Sequence, residues 1–298
     1  MTPREHFKDV DAAVIHLPSA TEREAQIKEV FKDTFRTMQF IEPLPPRDPV
    51  QVRLDYYESK QNDPDWMIFD REYILPEDFD KWRKMTNSKY RKGYGFSPVM
   101  VANSDSLRRT SLKLMQDFIH AAETGQSSDR LVILEDDACP RDGFLDDFEF
   151  DMPEDAHIIC WGGAVVKTQQ DGHDFTDRNK PFELTPFGIH TADEYVDRLI
   201  CAHCYEVDVT GAKWLADRYS KAGALDDLWA KALLAYGGTY RMQPQGVVQV
   251  SHGSTIDPKQ RGFCMPIHRD QWFERKGWFG GTWRNAEERA GISAKASE

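Results

Sequence analysis

Long apolar runs are missing from this chain. No stretch approaches the roughly 18 residues that a helix needs to cross a bilayer, so the sequence predicts no membrane span. The phosphate-binding pattern G-x-x-x-x-G-K-[ST] is also absent, which weakens the case for a metal-dependent nucleotidyl- or phosphotransferase. There is no internal repeat, heptad pattern or low-complexity tract.

Cysteine is scarce and odd in number. The five cysteines lie at positions 139, 160, 201, 204 and 264, which favours reduced thiols over a disulfide framework. The first residues carry no apolar core of a signal peptide. We therefore expect a cytoplasmic protein.

The composition is typical of a globular protein, with 298 residues, of which 40% are hydrophobic and 12% aromatic. The net charge of −12 disfavours generic binding of the whole molecule to nucleic acid or membrane. We predict one domain over residues 1–298. Its core lies at about 12–250, with insertions at about 42–100 and 165–198 and a basic, aromatic tail at 252–298.

One apolar run ends in three adjacent acids. Leu131–Leu134 predicts a buried strand, and Glu135, Asp136 and Asp137 follow directly. In an open α/β sheet, ligands bind outside the carboxyl ends of the strands. Adjacent carboxylates repel one another unless a cation neutralises them, and oxygen ligands at i and i+2 suit Mg²⁺ or Mn²⁺ shared with substrate phosphates. An acidic turn without a ligand is the alternative.

Strand and helix patterns surround this run. The chain opens with a strand at 12–17, a capping-box pattern at Thr21–Glu24 and a helix to about Phe35. Proline and aspartate predict little regular structure over 42–80. Further predicted elements are a helix at 106–122, strands at 157–161, 201–209 and 247–250, and helices that begin near 210 and 226.

Taken in order, several segments resemble the family 25 glycosyltransferases, the lipooligosaccharide and collagen sugar transferases. The matching segments are Val14-Ile15-His16-Leu17 with Ser19 and Arg23, the helix at Ser111, Ile133–Asp137, Ile158–Gly162, His203-Cys204-Tyr205 with Gly211-Ala212, and Asp226-Asp227. The resemblance implies an α/β fold of GT-A type (Rossmann-like), a mixed sheet flanked by helices with long loop insertions. It also implies an inverting transfer of a sugar from a nucleotide-sugar, expected to be a UDP-sugar, to a hydroxyl acceptor.

These residues can be given expected roles in that reaction. Mn²⁺ or Mg²⁺ would stabilise the charge that develops on the diphosphate, and Asp137 is the foremost expected ligand. Glu135 and Asp137 alternate along a segment expected to be extended, so both could point to one side. The other expected contacts are metal binding by His252, contacts to ribose or sugar hydroxyls by Asp136, and nucleotide-sugar binding by His16, Leu17, Arg23 and His203.

Inversion requires a general base on the acceptor hydroxyl, and the candidates are Asp227 and Asp226. Asp226 also suits a helix N-cap and Asp227 a first helical turn, so the choice between them stays open. Three of the candidate contacts have simpler interpretations as well: Arg23 as a solvated helix residue, His252 as an ordinary loop residue, and His203 as a packed strand residue.

Two basic, aromatic segments bear on the acceptor. Residues 81–96 and 258–285 interleave lysine and arginine with aromatic rings in an acidic chain, which suits a polyanion whose bases stack on the rings. A hydroxylated nucleic-acid base, such as one in modified DNA exposed by duplex opening or base flipping, is therefore a candidate acceptor beside a glycan or a protein. Alternatively, these cations bind the donor diphosphate or are solvated beside ordinary core aromatics.

A different class of function is a non-catalytic nucleotide-sugar- or glycan-binding module. The presence of Glu135, Asp137 and Asp227 argues against it, because such a module would not need a metal ligand or a base. The sequence leaves the identity of the sugar and the oligomeric state undetermined.

Overall fold

The computed structural model describes residues 1–62, 78–85, 96–140, 143–166, 188–191, 198–223, 225, 236–243 and 246–249. Its helices are α1 (Pro3–Phe7), α2 (Thr21–Val30), α3 (Pro49–Asn62), α4 (Phe79–Arg83), α5 (Pro98–Glu123), α6 (Phe144–Asp147) and α7 (Val209–Tyr219). Its strands are β1 (Asp11–Ile15), β2 (Thr37–Ile41), β3 (Arg130–Glu135), β4 (Ala138–Pro140), β5 (Ile158–Val166), β6 (Gly188–Thr191), β7 (Arg198–Asp208), β8 (Thr239–Gln243) and β9 (Val247–Gln249).

Seven strands form one mixed sheet in the order β2-β1-β3-β7-β5-β8-β6. β1 runs parallel to both β2 and β3, and β5 runs parallel to β8. β7 is antiparallel to β3 and β5, and β6 is antiparallel to β8. The remaining strands, β4 and β9, form a separate antiparallel pair.

Each face of this sheet carries its own hydrophobic core, because successive side chains of a strand point to opposite faces. In β3, Leu131 and Ile133 join the core that α3, α4, α5 and α7 cover, whereas Val132 and Leu134 join the core that α1, α2 and α6 cover. Burying such a side chain contributes about 1.5–3 kcal/mol to folding. The predicted fold class, an α/β protein with a mixed sheet flanked by helices, is confirmed.

Most predicted elements are present, but the predicted capping box at Thr21–Glu24 is wrong. Thr21 is already the first residue of α2, and the N-cap is Ala20, which makes no side-chain capping bond. A backbone hydrogen bond of 2.8 Å from Ala20 to the Leu17 carbonyl closes the turn after β1 and places Ala20 at that position.

The prediction of little regular structure over 42–80 is also wrong, because α3 and the start of α4 lie there. The Asp48 carboxylate accepts a hydrogen bond of 3.3 Å from the Val50 amide at the start of α3, and Pro49 is the first helical residue. Val52 and Tyr56, one turn apart, are buried against the core. An acid followed by proline is a helix-start signal, which the proline-rich composition obscured.

A buried carboxylate binds side chains from three neighbouring elements near the amino end of β3. Glu206 is fully buried and accepts hydrogen bonds from His6 Nε2 at 3.0 Å, from Trp161 Nε1 at 2.9 Å and from Arg130 Nε. Burial raises the pKa of Glu206, but the hydrogen bond from His6 and the charge of Arg130 outweigh it, so the pKa lies below its ordinary value. The cluster ties α1 and β5 to the paired strands β3 and β7.

The depressed pKa of Glu206 predicts a loss of stability in acid. The contribution is fully present above the unfolded-state pKa of about 4.5 and is lost as the pH falls through the lower folded-state pKa. We expect Glu206→Gln to flatten this part of the pH dependence and Glu206→Ala to cost on the order of 3 kcal/mol at neutral pH, since Arg130 loses its buried partner.

Urea unfolding across this pH range measures both effects. The matched control is Glu58→Gln, at an exposed glutamate, which should unfold like the wild type. An unchanged acid limb in Glu206→Gln would contradict the assignment.

Candidate functional site

The carboxyl ends of β1 and β3 lie side by side. The parallel register pairs Ile15 with Glu135, so His16 and Asp136 each follow the last paired residue of neighbouring strands. The His16 amide donates a 3.0 Å hydrogen bond to the Ile41 carbonyl at the end of β2. The three strand ends therefore form one edge, which is where ligands bind in open α/β sheets.

The expectation that the three acids continue as an extended segment is wrong. Glu135 is the last residue of β3, and Asp136 and Asp137 form a turn before β4. The chain turns here because β4 leaves the main sheet and pairs with β9. The charge of Glu135 reaches Tyr205, whose pKa is raised chiefly by burial and further by this carboxylate.

Asp136 is at the centre of a buried ionic cluster. Its Oδ1 lies 2.6 Å from Arg23 Nη1 and its Oδ2 lies 3.1 Å from His16 Nδ1. His16, Arg23 and Asp136 are only 4%, 6% and 7% exposed. The structure thus brings together three residues expected from the sequence to contact the donor, and the interpretation of Arg23 as a solvated helix residue is wrong.

The same arginine also approaches the second aspartate of the turn. Arg23 Nη1 lies 3.7 Å from Asp137 Oδ2, so one guanidinium nitrogen is close to both carboxylates. The cluster extends through Glu24, whose carboxylate lies 3.5 Å from His16 Nε2 and also binds Lys28. Sequence reasoning missed Glu24, although its spacing from Lys28 is that of a helical i, i+4 ion pair.

The fit to a divalent cation is partial. Among the residues that the structure describes, no group of three or more histidine, cysteine, aspartate or glutamate side chains is arranged to hold a metal. Mg²⁺, however, is commonly held by one or two carboxylates together with substrate phosphates. The described residues therefore form no metal cage from protein side chains alone, and metal binding by Glu135, Asp137 and His252, shared with substrate phosphates, stays a prediction.

His203 lies inside the protein, against β9. It is fully buried, and its Nε2 lies 3.0 Å from the Val247 carbonyl oxygen. Gly162 makes room for this contact, because a Cβ there would lie 2.4 Å from His203 Nε2 and 2.6 Å from the Val247 carbonyl. The interpretation of His203 as a packed strand residue accounts for these contacts. Leu17, another expected contact of the nucleotide-sugar, lies in the turn after β1 and is 37% exposed.

The structure describes part of segment 81–96, and there one of the aromatic rings expected to stack on bases is buried instead. Trp82 is fully buried, and its Nε1 donates a 2.8 Å hydrogen bond to the Phe96 carbonyl, so Trp82 is a core residue. Lys81, Arg83 and Lys84 are exposed. Asp226, Asp227, His252, residues 86–95 and segment 258–285 lie outside the described residues.

No helix in the described ranges is both long and apolar enough to cross a membrane. No family model and no curated protein matches the chain, so the resemblance to family 25 has no family match behind it. Among solved structures, mouse xyloside xylosyltransferase 1 in its apo form is similar at 12% identity over 77% of this chain and 70% of that one, with a TM-score of 0.26. A TM-score this low supports no assignment of fold or function.

The close approach at Gly162 predicts a sharp cost for Gly162→Ala. The added methyl would collide with His203 and with backbone, so we expect a destabilisation of about 1–3 kcal/mol, measured by urea unfolding. Gly237→Ala is the matched control, because a Cβ at Gly237 meets nothing within 4 Å. Equal stability of the two variants would contradict the packing of His203 against Val247.

Proposed function

We propose that this protein is a glycosyltransferase that takes a sugar from a nucleotide-sugar, with UDP as the expected nucleotide. The observation that carries the proposal is the position of the His16–Arg23–Asp136–Asp137 cluster in the sheet. β2 lies on one side of β1, and β3 lies on the other side. The strand order therefore reverses direction between β1 and β3. Such a switch point, at the carboxyl ends of parallel strands, is the usual ligand crevice of an open α/β sheet.

The chemistry of the cluster suits a nucleoside diphosphate. Departure of the diphosphate leaves negative charge on its oxygens, and a buried guanidinium such as that of Arg23 stabilises phosphate more strongly than a solvated one. A divalent cation held by Asp137, with Glu135 and His252 as its other predicted ligands, would add Lewis-acid stabilisation of the same charge. Asp136 and His16 hold Arg23 in place, so we assign them positioning roles.

The roles proposed on the acceptor side of the reaction are argued from the sequence alone. In the proposal, Asp227, with Asp226 as the alternative, removes the proton from the acceptor hydroxyl while the hydroxyl oxygen attacks the sugar carbon and inverts it. A nucleotidyl- or phosphotransferase would use the same phosphate contacts without a preference among sugars, and a binding module would hold the donor without transferring it.

The proposal predicts which nucleotides bind and which variants lose binding. Calorimetric titration with UDP-glucose, UDP-galactose, UDP-N-acetylglucosamine and GDP-mannose, each with and without Mn²⁺, should identify a preferred donor. We expect Asp137→Asn to weaken the Mn²⁺-dependent part of donor binding by about tenfold or more, because a charged ligand is lost.

Asp227→Asn is the matched comparison for Asp137→Asn. It should bind the donor like the wild type and fail to transfer or hydrolyse the sugar. Binding of UDP alone without sugar preference would favour the nucleotidyltransferase, transfer-free binding would favour the module, and no binding of any nucleotide would contradict the proposal.

The salt dependence of acceptor binding tests whether the acceptor is a nucleic acid. A nucleic-acid acceptor that contacts several cations should lose affinity by about tenfold or more between about 50 and 200 mM salt, because its counterions are released on binding. We expect this dependence for an oligonucleotide that carries hydroxymethylated bases if exposed cations such as Lys81, Arg83 and Lys84 contact it. A flat salt response would remove nucleic acid as the acceptor and leave the glycan.

A further inference from the structure

We propose that His203 is a positioning residue for the acidic turn, Asp136-Asp137, and that it acts through β9 and β4 without touching the donor. The inference rests on the proposed function, because Asp136 in this turn holds Arg23 in the donor site. It replaces the direct contact to the nucleotide-sugar that the sequence suggests for His203.

The two ends of the acidic turn are held by different strands. Glu135, before the turn, is fixed in the main sheet by its pairing with Ile15 of β1. Ala138, after the turn, begins β4, which pairs with β9 outside the main sheet, where Ala138 lies opposite Gln249. Ala138 is fully buried, so the far end of the turn depends on the position of β9.

His203 joins β9 to the main sheet. It lies on β7, and its Nε2 is 3.0 Å from the carbonyl oxygen of Val247, the first residue of β9, which lies opposite Pro140 of β4. A carbonyl oxygen only accepts hydrogen bonds, so Nε2 carries the proton and donates. His203 and Val247 are fully buried, where a carbonyl without a donor is costly. The bond therefore opposes any movement of β9 away from β7.

The residue before Val247 is held through its backbone. The Gly246 amide donates a 3.0 Å hydrogen bond to the Trp161 carbonyl of β5, and a Cβ at Gly246 would collide with the Phe144 ring. The start of β9 is thus attached to the main sheet at two successive residues, by backbone at Gly246 and by the His203 side chain at Val247. A substitution of His203 removes the second attachment and leaves the first in place.

Loss of this attachment should reach the donor site through β4. A Val247 carbonyl without its donor would be more stable in contact with water, and β9 would move to reach it. β4 would move with its partner strand, and the acidic turn would no longer hold the Asp136 carboxylate 2.6 Å from Arg23 Nη1. A guanidinium without this anchor is less preorganised for a diphosphate, so the affinity for UDP should fall.

The test compares His203→Gln with His203→Leu by calorimetric titration with UDP. Glutamine keeps an N–H donor at similar reach, and leucine does not. We expect His203→Leu to bind UDP about tenfold more weakly than the wild type, within the usual range of coupling between sites, and His203→Gln to bind it nearly as tightly as the wild type. If His203 only filled space in the core, leucine would be the better tolerated of the two.

Amide hydrogen exchange measures the opening of β4 and β9 without any ligand. The amides of Ala138, Cys139 and residues 247–249 should exchange faster in His203→Leu than in the wild type, and protection should return in His203→Gln. If His203→Leu does not fold, Gly162→Ala takes its place, because a Cβ at Gly162 would lie 2.6 Å from the Val247 carbonyl oxygen and displace His203.

The matched control is His157→Leu. His157 Nδ1 lies 2.7 Å from Asp208 Oδ2, and Asp208 pairs with Arg130 at the start of β3, at the opposite end of that strand from the acidic turn. We expect this variant to lose stability and to keep its UDP affinity. Equal loss of UDP affinity in the two leucine variants would reduce the effect of His203 to general destabilisation and overturn the inference.

The remaining outcomes separate this inference from the proposed function. Unchanged UDP affinity in His203→Leu, or weaker binding in His203→Gln than in His203→Leu, would overturn the role of His203 while the proposed donor site stands. Failure of the wild type to bind UDP would overturn the proposed function. In that case the exchange of the β4 amides would still show whether His203 fixes that strand.

Discussion

The parallel pairing of β1 with β3 is the constraint on which the candidate site depends. Because Ile15 lies opposite Glu135, the residues after each strand emerge together, and Asp136 comes within reach of His16. The turn after β1 then leads directly into α2, so that Arg23, in its first turn, reaches the same carboxylate. A shift of one residue in this register would turn every side chain of β3 to the opposite face and disperse the cluster.

Two buried carboxylates at opposite ends of β3 are neutralised in the same way. Glu206, near the amino end, binds an arginine and a histidine, and Asp136, just beyond the carboxyl end, binds another arginine and histidine. Buried charges of this kind bring little net stability compared with apolar packing, but removal of one partner is costly. At the amino end the arrangement joins α1 and three strands, whereas at the carboxyl end it lies at the edge where a ligand would bind.

The sequence predicted those parts of the fold whose signals are local and repeated. The apolar run of β3, the helical spacing of α5 and the strand-helix succession of β7 and α7 are confirmed, because burial of one face imposes a period on the residues. α3 was missed because its acid-proline start lies in a segment rich in residues that usually interrupt helices. The capping box failed because the turn after β1 places Ala20 at the cap position.

The structure brings three of the candidate residues together, and whether they bind a donor stays a prediction. His16, Arg23 and Asp136 lie side by side, but their mutual pairing depends on strand register and on the course of α2. Neither can be read from residue types alone. The positions of Trp82 and His203 likewise could not be predicted from residue type. Each residue lies in a motif that suggests binding, but Trp82 is hydrogen-bonded to the Phe96 carbonyl and His203 contacts the Val247 carbonyl inside the protein.

We propose that Asp136 acts on the donor through Arg23, and a double-mutant cycle measures this dependence. The affinity for UDP would be measured by calorimetry without metal for the wild type, Asp136→Asn, Arg23→Met and the double variant. Loss of a charged hydrogen bond to phosphate costs about 1.5–3 kcal/mol, so each single variant should bind at least about tenfold more weakly. The double variant should bind UDP no more weakly than Arg23→Met alone, because the two residues act as one unit. Additive losses, or undiminished binding in both single variants, would contradict it.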